Sequence, residues 1–454
     1  MDRSRPSRTT AFNKLPIELN KEIAHHLTDH KDIAAYSAVC IKTRDAVNGD
    51  NYSFWRAKYC EDFAMPKGKS NKQLCDRFKF RWKWLNKFMK KRPGFVHGHS
   101  RGEKTIVSVL TELIVESFAD GIRLDDDGHP HCPNMVLLRL FALESKLLVG
   151  GKRPPPAKPN QSTDDSLLAA RLMLSHFLFD QATPLASWFA IDDAQKAVYA
   201  ATNRAPLYLG PDKDLVNLEW TLQCMNFFRY YMTTPEASQL FDAMGGVEVP
   251  SPWREPLKSG SRPFGQCWKG TYSFLDHNEL VRFRKYASSG KEDDGMIFAD
   301  LNVDEGKIQS LNLEFLTDGT ELKWPTSFEQ RLQSRRNKNV PQMPPHAAHS
   351  SLDIRFDGWG EDLDDDFKAT GWLNALPDQC GIPGWQRITF MKHFADDLDQ
   401  VQSDNLWAYE GVVLPGGRII LGRWCVIDFD NDYGGPFILW AVEPEPELVS
   451  EGEE

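Results

Sequence analysis

Histidine and cysteine are the first residues to weigh for chemistry, because a few of them close together can bind a transition metal. Two such groupings occur, His97-x-His99 and His129-x-His131-Cys132. Neither brings four ligands into one compact spacing, so both are read as surface-loop residues rather than zinc sites. Glu361, Asp362 and Asp364 to Asp366 form an acidic run, and Asp125 to Asp127 form another before Gly128. Both lack the alternating acid pattern of a calcium loop, so a solvated connection is expected at each. Gly98 to Thr105 has the outline of a phosphate loop. Three residues instead of four separate its glycines, Glu103 precedes Lys104, and no strand leads into it, so that reading is rejected. No Gly-x-Ser-x-Gly elbow and no nucleophile–base pairing stands out. The expectation is a non-catalytic chain with no metal and no cofactor.

The elements that carry these residues divide the chain. Cys40, Cys60, Cys75, Cys132, Cys224, Cys267, Cys380 and Cys425 are scattered singly with no Cys-x-x-Cys pair. That pattern favours a reducing compartment, cytoplasmic or nuclear. Met1 to Thr10 is basic and polar without an apolar centre, so no secretory signal is expected. No apolar run reaches the ~18 residues of a membrane span. Residues 1–100 carry 21 Lys and Arg against 10 Asp and Glu, and the remainder 33 against 54. Two electrostatically distinct pieces follow, and the overall acidity argues against broad nucleic-acid binding. Within the basic piece, Lys67 to Arg92 interleaves bases with Phe78, Phe80, Trp82 and Trp84. Nuclear targeting through Lys90-Lys91-Arg92 and nucleic-acid stacking are possible functions of such a run. An amphipathic connector with docked aromatics and solvated bases is the preferred reading.

Helical spacing is expected over about 104–119, 135–149, 166–181, 185–201 and 214–232, the last with Leu215, Leu218, Leu222, Met225 and Met232 on one face. Gly150 to Asp165, with Pro154, Pro155, Pro156 and Pro159, reads as a loop. After Pro250 the helical period gives way to glycines and alternation. Strands are expected near 267–274, 280–286, 296–303, 307–315, 321–324, 352–357, 367–373, 386–393, 406–414, 417–425 and 436–442. So many antiparallel strands in under 200 residues close into a barrel or stack as a sandwich, because open edges are a liability. A Pro- and Arg-bearing loop is expected at about 325–350, and an acidic tail from Glu443.

At the amino end, Leu15-Pro16-x-Glu18-Leu19 is followed by Ile23, Leu27, Asp32-Ile33, Val39-Cys40, Arg44 and Phe54-Trp55. Leu19, Ile23 and Leu27 share a helical face, and Asp32 is the expected cap of a second helix. In order and spacing this segment resembles an F-box. It departs after Cys40, where a tryptophan often stands near the arginine in that family. The resemblance implies a Skp-type adaptor as partner and, through it, a cullin. It also implies that Leu15, Pro16, Leu19, Ile33, Val39, Cys40 and Trp55 line or brace that interface. Three short helices cannot bury much surface by themselves, which independently favours a docking role.

The carboxy-terminal half carries Trp268-x-Gly270-x-Tyr272, which resembles the first strand of lipocalin-like barrels, where the tryptophan plugs the floor. Phe356-x-Gly358-x-Gly360-x-Asp362 and Trp407-x-Tyr409-x-Gly411 resemble the same region of fungal F-box proteins. The tryptophans at 268, 359, 372, 407, 424 and 440 are expected in the core. The fold class is therefore α+β. It comprises a three-helix F-box (12–60), a basic connector (61–103), a helical linker domain (104–250), an antiparallel barrel (262–442) and an acidic tail (443–454). The function implied is substrate recognition for a Skp–cullin–F-box ubiquitin ligase, with the client on the barrel. The alternative is a small-ligand-binding barrel protein with a non-ligase scaffolding F-box.

Overall fold

The computed structural model describes residues 11–152, 154–155, 161–181, 188–289, 299–316, 354–363, 365–395, 401–426 and 433–444. The expected strand at 321–324, the loop at 325–350 and most of the acidic tail lie outside them. The chain folds as two compact units. The first comprises Met1–Gly94, Ser100–Lys146 and Arg254–Pro256; the second comprises Phe95–His99, Leu147–Trp253 and Leu257–Glu454. Residues 104–146 thus belong to the first unit and 147–250 to the second.

The first unit is helical. Helix α1 (Ile17–His25) follows Pro16, whose restricted φ suits the residue that opens a helix. Helix α2 (His30–Ser37) is capped by Asp29, whose carboxylate accepts the Lys31 amide at 2.9 Å. Asp32, the expected cap, sits instead in the first turn, where its charge complements the helix dipole. Helices α3 (Ile41–Asn48) and α4 (Ser53–Asp62) follow. Ile33, Ala46, Phe54, Trp55 and Tyr59 form the small core.

The basic-aromatic run is one 21-residue helix, α5 (Asn71–Lys91), opened by a Ser70–Gln73 capping box. Leu74, Phe78, Leu85 and Phe88 keep to its buried face, while Lys72, Lys79, Lys83 and Lys87 are exposed. Arg81 is buried and bonded through both terminal nitrogens. Its guanidinium donates to Tyr59 Oη at 2.6 Å, Glu112 at 2.9 Å and Glu116 at 2.7 Å. The two glutamates come from α6 (Arg101–Glu116), capped by Ser100. Strands β1 (Arg123–Leu124) and β2 (Pro130–His131) form a small hairpin whose turn is Asp125 to Gly128, with Asp125 bonding the turn amides. Helix α7 (Pro133–Glu144) closes the unit with Pro133 in its first turn.

The second unit pairs helices with a barrel. Helices α8 (Asp165–Ser175) and α9 (Ile191–Val198) precede the short strands β3 (Tyr208–Leu209) and β4 (Leu215–Val216). Helix α10 (Leu218–Thr233) is nearly all buried, and α11 (Gln239–Ala243) follows. Leu215, expected on the α10 face, lies in β4 and is exposed, because Asn217 caps the helix behind it.

The barrel strands are β5 (Cys267–Tyr272), β6 (Gln309–Leu316), β7 (Ile354–Asp362), β8 (Asp365–Ala375), β9 (Gln386–Ala395), β10 (Val401–Val413), β11 (Ile419–Val426) and β12 (Gly434–Ala441). Each pairs antiparallel with the next, and β12 pairs with β5, so the sheet closes as an eight-stranded barrel with no open edge. Between β5 and β6 lies α12 (His277–Ser289), where a strand was expected at 280–286. Val281 and Phe283 alternate like strand residues. However, Leu280 and Phe283, three apart, are the buried pair, and Val281 is exposed. The Phe283 ring packs edge-on against Tyr199 at 6.1 Å, and that tertiary contact decides the short run.

Alternate strand residues fill the barrel. Trp268, Leu311, Phe356, Ile388, Phe390 and Leu439 belong to one interior cluster. Trp268 is fully buried at the closed end, its indole donating to Gly265 O at 2.6 Å and packing on Phe264. Trp359 departs from the expected core set. It is half-exposed because it points outward between Gly358 and Gly360. Helices coat the outside. Arg423 reaches the Ala205 carbonyl at 2.9 Å beneath the Trp220 ring, and Arg387 stacks on Tyr208. Asp300 is buried between helix and barrel, accepting from Tyr199 at 2.8 Å, from Gln195 at 2.9 Å and from Tyr231. Burial pushes its carboxyl up to about 6.

Candidate functional site

Two surfaces are candidates, one in each unit. In the first, the α1 entry and the α2–α3 junction carry apolar side chains into solvent. Ile17 is 39%, Leu19 51%, Val39 43% and Ile41 70% exposed, which separates them from the buried Ile33 and Trp55. Pro16 is exposed, and Leu15 and Cys40 are half-buried. The two stretches are neighbours. Lys42 Nζ donates to Leu15 O at 3.3 Å, and Asn20 Nδ2 donates to the carbonyls of Phe12 and Pro16, each at 3.2 Å. Tyr36 Oη in turn donates to Asn20 Oδ1 at 2.7 Å, fixing the amide that holds the α1 entry.

Of the seven residues singled out from sequence, Leu15, Pro16, Leu19, Val39 and Cys40 therefore reach the surface. Ile33 and Trp55 lie under it. Trp55 Nε1 donates to Asn48 Oδ1 at 3.1 Å and its ring lies 5.5 Å from Phe78, so its part is to brace the helices. These exposed apolar side chains form a candidate docking surface, since exposed apolar patches often mark interaction sites.

The second candidate is a cavity of about 240 Å³ at the end of the barrel opposite Trp268. The strand period builds it. Tyr272 ends β5 on the same inward face as Trp268 and Gly270, and Phe274 follows. On β9, Phe390, Lys392 and Phe394 point inward together. On β10 and β11, Trp407, Tyr409 and Trp424 complete the wall, with Tyr433 leading into β12. Asp362, Leu363 and Asp365 supply the β7–β8 turn. The expected loop at 325–350 would join Leu316 to Ile354, and these two strand ends lie at the opposite, closed end of the barrel.

Lys392 is the charge at the base of the cavity. Its ammonium pairs with Asp362 and donates to Gln309 Oε1 at 3.0 Å, and both ionic partners are buried. It also lies 4.1 Å from the Phe367 ring centre. Burial pulls its affinity for the proton below that of a free lysine, with Asp362 working the other way. Burial, and then the Asp362 charge, push the Tyr272 phenol up. Lys392 is hydrogen-bonded and ion-paired inside the barrel, and the raised Tyr272 phenol stays neutral at neutral pH.

Sequence reading passed over this site. The signal that could have found it is the period-two pattern Phe390-x-Lys392-x-Phe394, which puts the lysine on the same face as two aromatic rings. Its partner Asp362 was masked by the neighbouring acids, which suggested a solvated run. Glu361 and Asp365 are exposed as expected, but Asp362 is buried because it continues the inward row of Phe356, Gly358 and Gly360. The histidines are held locally, His97 against Thr163 at 3.2 Å and His99 against Ser162 O at 2.7 Å. Among the described residues, no group of three or more His, Cys, Asp or Glu side chains is placed to hold a metal ion, and no helix is long and apolar enough to cross a membrane. In comparisons with known proteins, no family model, no curated protein and no solved structure matches the chain.

Proposed function

We propose that this chain is a substrate-recruiting subunit of a Skp–cullin–F-box ubiquitin ligase. Its amino-terminal helices would dock the Skp-type adaptor, and its barrel would hold the client. The observation that carries the proposal is the apolar surface formed by Leu15, Pro16, Leu19 and Val39 over a core braced by Ile33 and Trp55. These residues follow one another in the order of an F-box, and the Lys42–Leu15 hydrogen bond brings the start of α3 to the α1 entry. The chain itself would supply proximity and orientation, with bond-making left to the enzymes recruited through the cullin. The scattered cysteines without a Cys-x-x-Cys pair favour a reducing setting, the cytoplasm or nucleus, for this work.

The second reading, a small-ligand barrel with a scaffolding F-box, is favoured by the cavity as such. Its volume supports the first reading more strongly. About 240 Å³ is below the ~300 Å³ at which pockets for whole drug-sized ligands begin, and the barrel below it is packed with side chains. A cavity of that size at an open mouth suits one side chain of a larger partner. The experiment is affinity purification of the full chain followed by mass spectrometry. A Skp-type adaptor and a cullin should co-purify, and Leu15→Ala with Pro16→Ala should lose both. Recovery of both by that double variant would refute the proposal.

A further inference from the structure

The mouth of the barrel has the construction of an aromatic cage. Trp424 is its hub. Four rings stand close to perpendicular to it: Trp407 at 5.4 Å and 70°, Tyr272 at 5.8 Å and 79°, Tyr433 at 6.0 Å and 83°, and Phe274 at 6.2 Å and 81°. All five rings line the same cavity, braced edge-to-face against Trp424. Two of the walls are pinned. Trp424 Nε1 donates to Ser273 O at 3.2 Å, and Tyr433 Oη donates to Leu275 O at 3.1 Å. The cage is therefore preorganised, and a ligand does not have to order it.

Charge decides what it holds. The described lining carries two carboxylates, Asp362 and Asp365, against one ammonium, Lys392, a formal balance of −1. Asp362 is committed to Lys392, which leaves the exposed Asp365 at the rim facing the rings. A monocation brings the site to neutrality, whereas an anion would double the imbalance. Ring faces attract cations through their quadrupole. Rings of this cavity already lie beside a positive charge, since the ion-paired Lys392 ammonium sits 5.5 Å from the Tyr272 centre and 5.6 Å from that of Phe394. A primary ammonium needs three acceptors, more than Asp365 and ring faces supply; an N-methylated one needs few or none.

We infer that the barrel-mouth cavity binds an N-methylated alkylammonium group, presented as the side chain of a methylated lysine on a client protein. The assignment of the group to a client rests on the recruiting function proposed above; the charge preference of the cage does not. The full chain is titrated calorimetrically with N-acetyl-trimethyllysine amide and with its neutral isostere, in which a tert-butyl group replaces the trimethylammonium. N-acetylglutamate amide and choline complete the set. The trimethyllysine derivative should bind, with the isostere at least about tenfold weaker. The glutamate derivative should not bind detectably. Asp365→Asn, at an exposed position that leaves the barrel core untouched, should weaken the trimethyllysine derivative about fivefold or more, and Trp407→Ala should weaken it further.

Equal binding of the isostere would overturn the cage as a cation site. So would preference for the glutamate derivative, or no binding of the cation to the wild-type chain. Choline binding more tightly than the lysine derivative would overturn the client assignment in favour of a free quaternary amine. Adaptor binding is read separately, so its loss would leave the cage standing, and failure of the cage would leave the amino-terminal reading standing.

Discussion

Replacing Gly270 with valine tests the barrel interior directly. A β-carbon built on Gly270 would lie 2.2 Å from Leu439 Cδ2 and 2.7 Å from the Ile438 carbonyl oxygen, where ordinary contact begins near 3.4 Å. Leu439 can turn aside in part, but its surroundings are filled by the interior cluster that includes Trp268 and Phe437. The Ile438 oxygen belongs to the β12 backbone paired with β5, so it cannot retreat without opening the ladder that closes the barrel. Overpacking of this kind costs ~1–3 kcal/mol, and valine adds two more carbons in the same space, so the upper end applies. About 3 kcal/mol corresponds to roughly 150-fold. Hydrogen exchange read by mass spectrometry on the full chain separates the two units, which a single global melting curve would blur. Peptides covering β5 and β12 should exchange roughly 150-fold faster in Gly270→Val, and those of α6 should be unchanged. Gly265→Ala is the control. Its new carbon would meet Ala441 Cβ at an ordinary 3.8 Å, so exchange should not move. Unchanged β5 and β12 protection in Gly270→Val would refute the packing argument.

Lys392→Met leaves Asp362 buried without its cation and should destabilise the barrel by ~3–5 kcal/mol; adding Asp362→Asn should recover most of it in a double-mutant cycle of denaturation midpoints, because the pair as a whole contributes little net stability. Asp300, raised from the ordinary 3.8 to about 6, binds its proton more tightly folded than unfolded. Its contribution is therefore fully present below about pH 4 and falls away as pH rises toward about 6, opposite in sign to a salt-bridged carboxylate. The difference in unfolding temperature between wild type and Asp300→Asn should shift steadily against the wild type across that window, and a pH-independent difference would count against a protonated Asp300.

Much of the barrel was legible because a closed antiparallel sheet writes its register into a period of two. Trp268-x-Gly270-x-Tyr272 and Trp407-x-Tyr409-x-Gly411 alternate in sequence and face inward in the fold. What was not legible depends on neighbours in space. Residues 280–286 alternate as a strand would, and their helix is settled by Phe283 reaching Tyr199. The Lys392–Asp362 pair spans β9 and β7 across β8, so no local window holds both residues. Of the five rings of the cage, Trp407, Trp424, Tyr272 and Phe274 lie on or next to strands recognised as such, yet their convergence on one end needs the strand order. At the amino end the pattern from Leu15 to Trp55 singled out candidate residues, while their division into exposed and buried side chains needed the packing of α1, α2 and α3.

The central claim is that the amino-terminal helices bind a Skp-type adaptor through their exposed apolar face. Calorimetric titration of the purified full chain with purified adaptor measures this without a client, a cullin or a cell extract. A saturable one-to-one complex is predicted. Leu19→Asp combined with Ile41→Asp should abolish it, since each alters an exposed side chain and buried apolar anchors commonly contribute more than ~1 kcal/mol apiece at an interface. Trp407→Ala, in the other unit, should leave the affinity unchanged. No heat of binding for the wild-type chain, or undiminished binding by the Leu19→Asp, Ile41→Asp variant, would contradict the account.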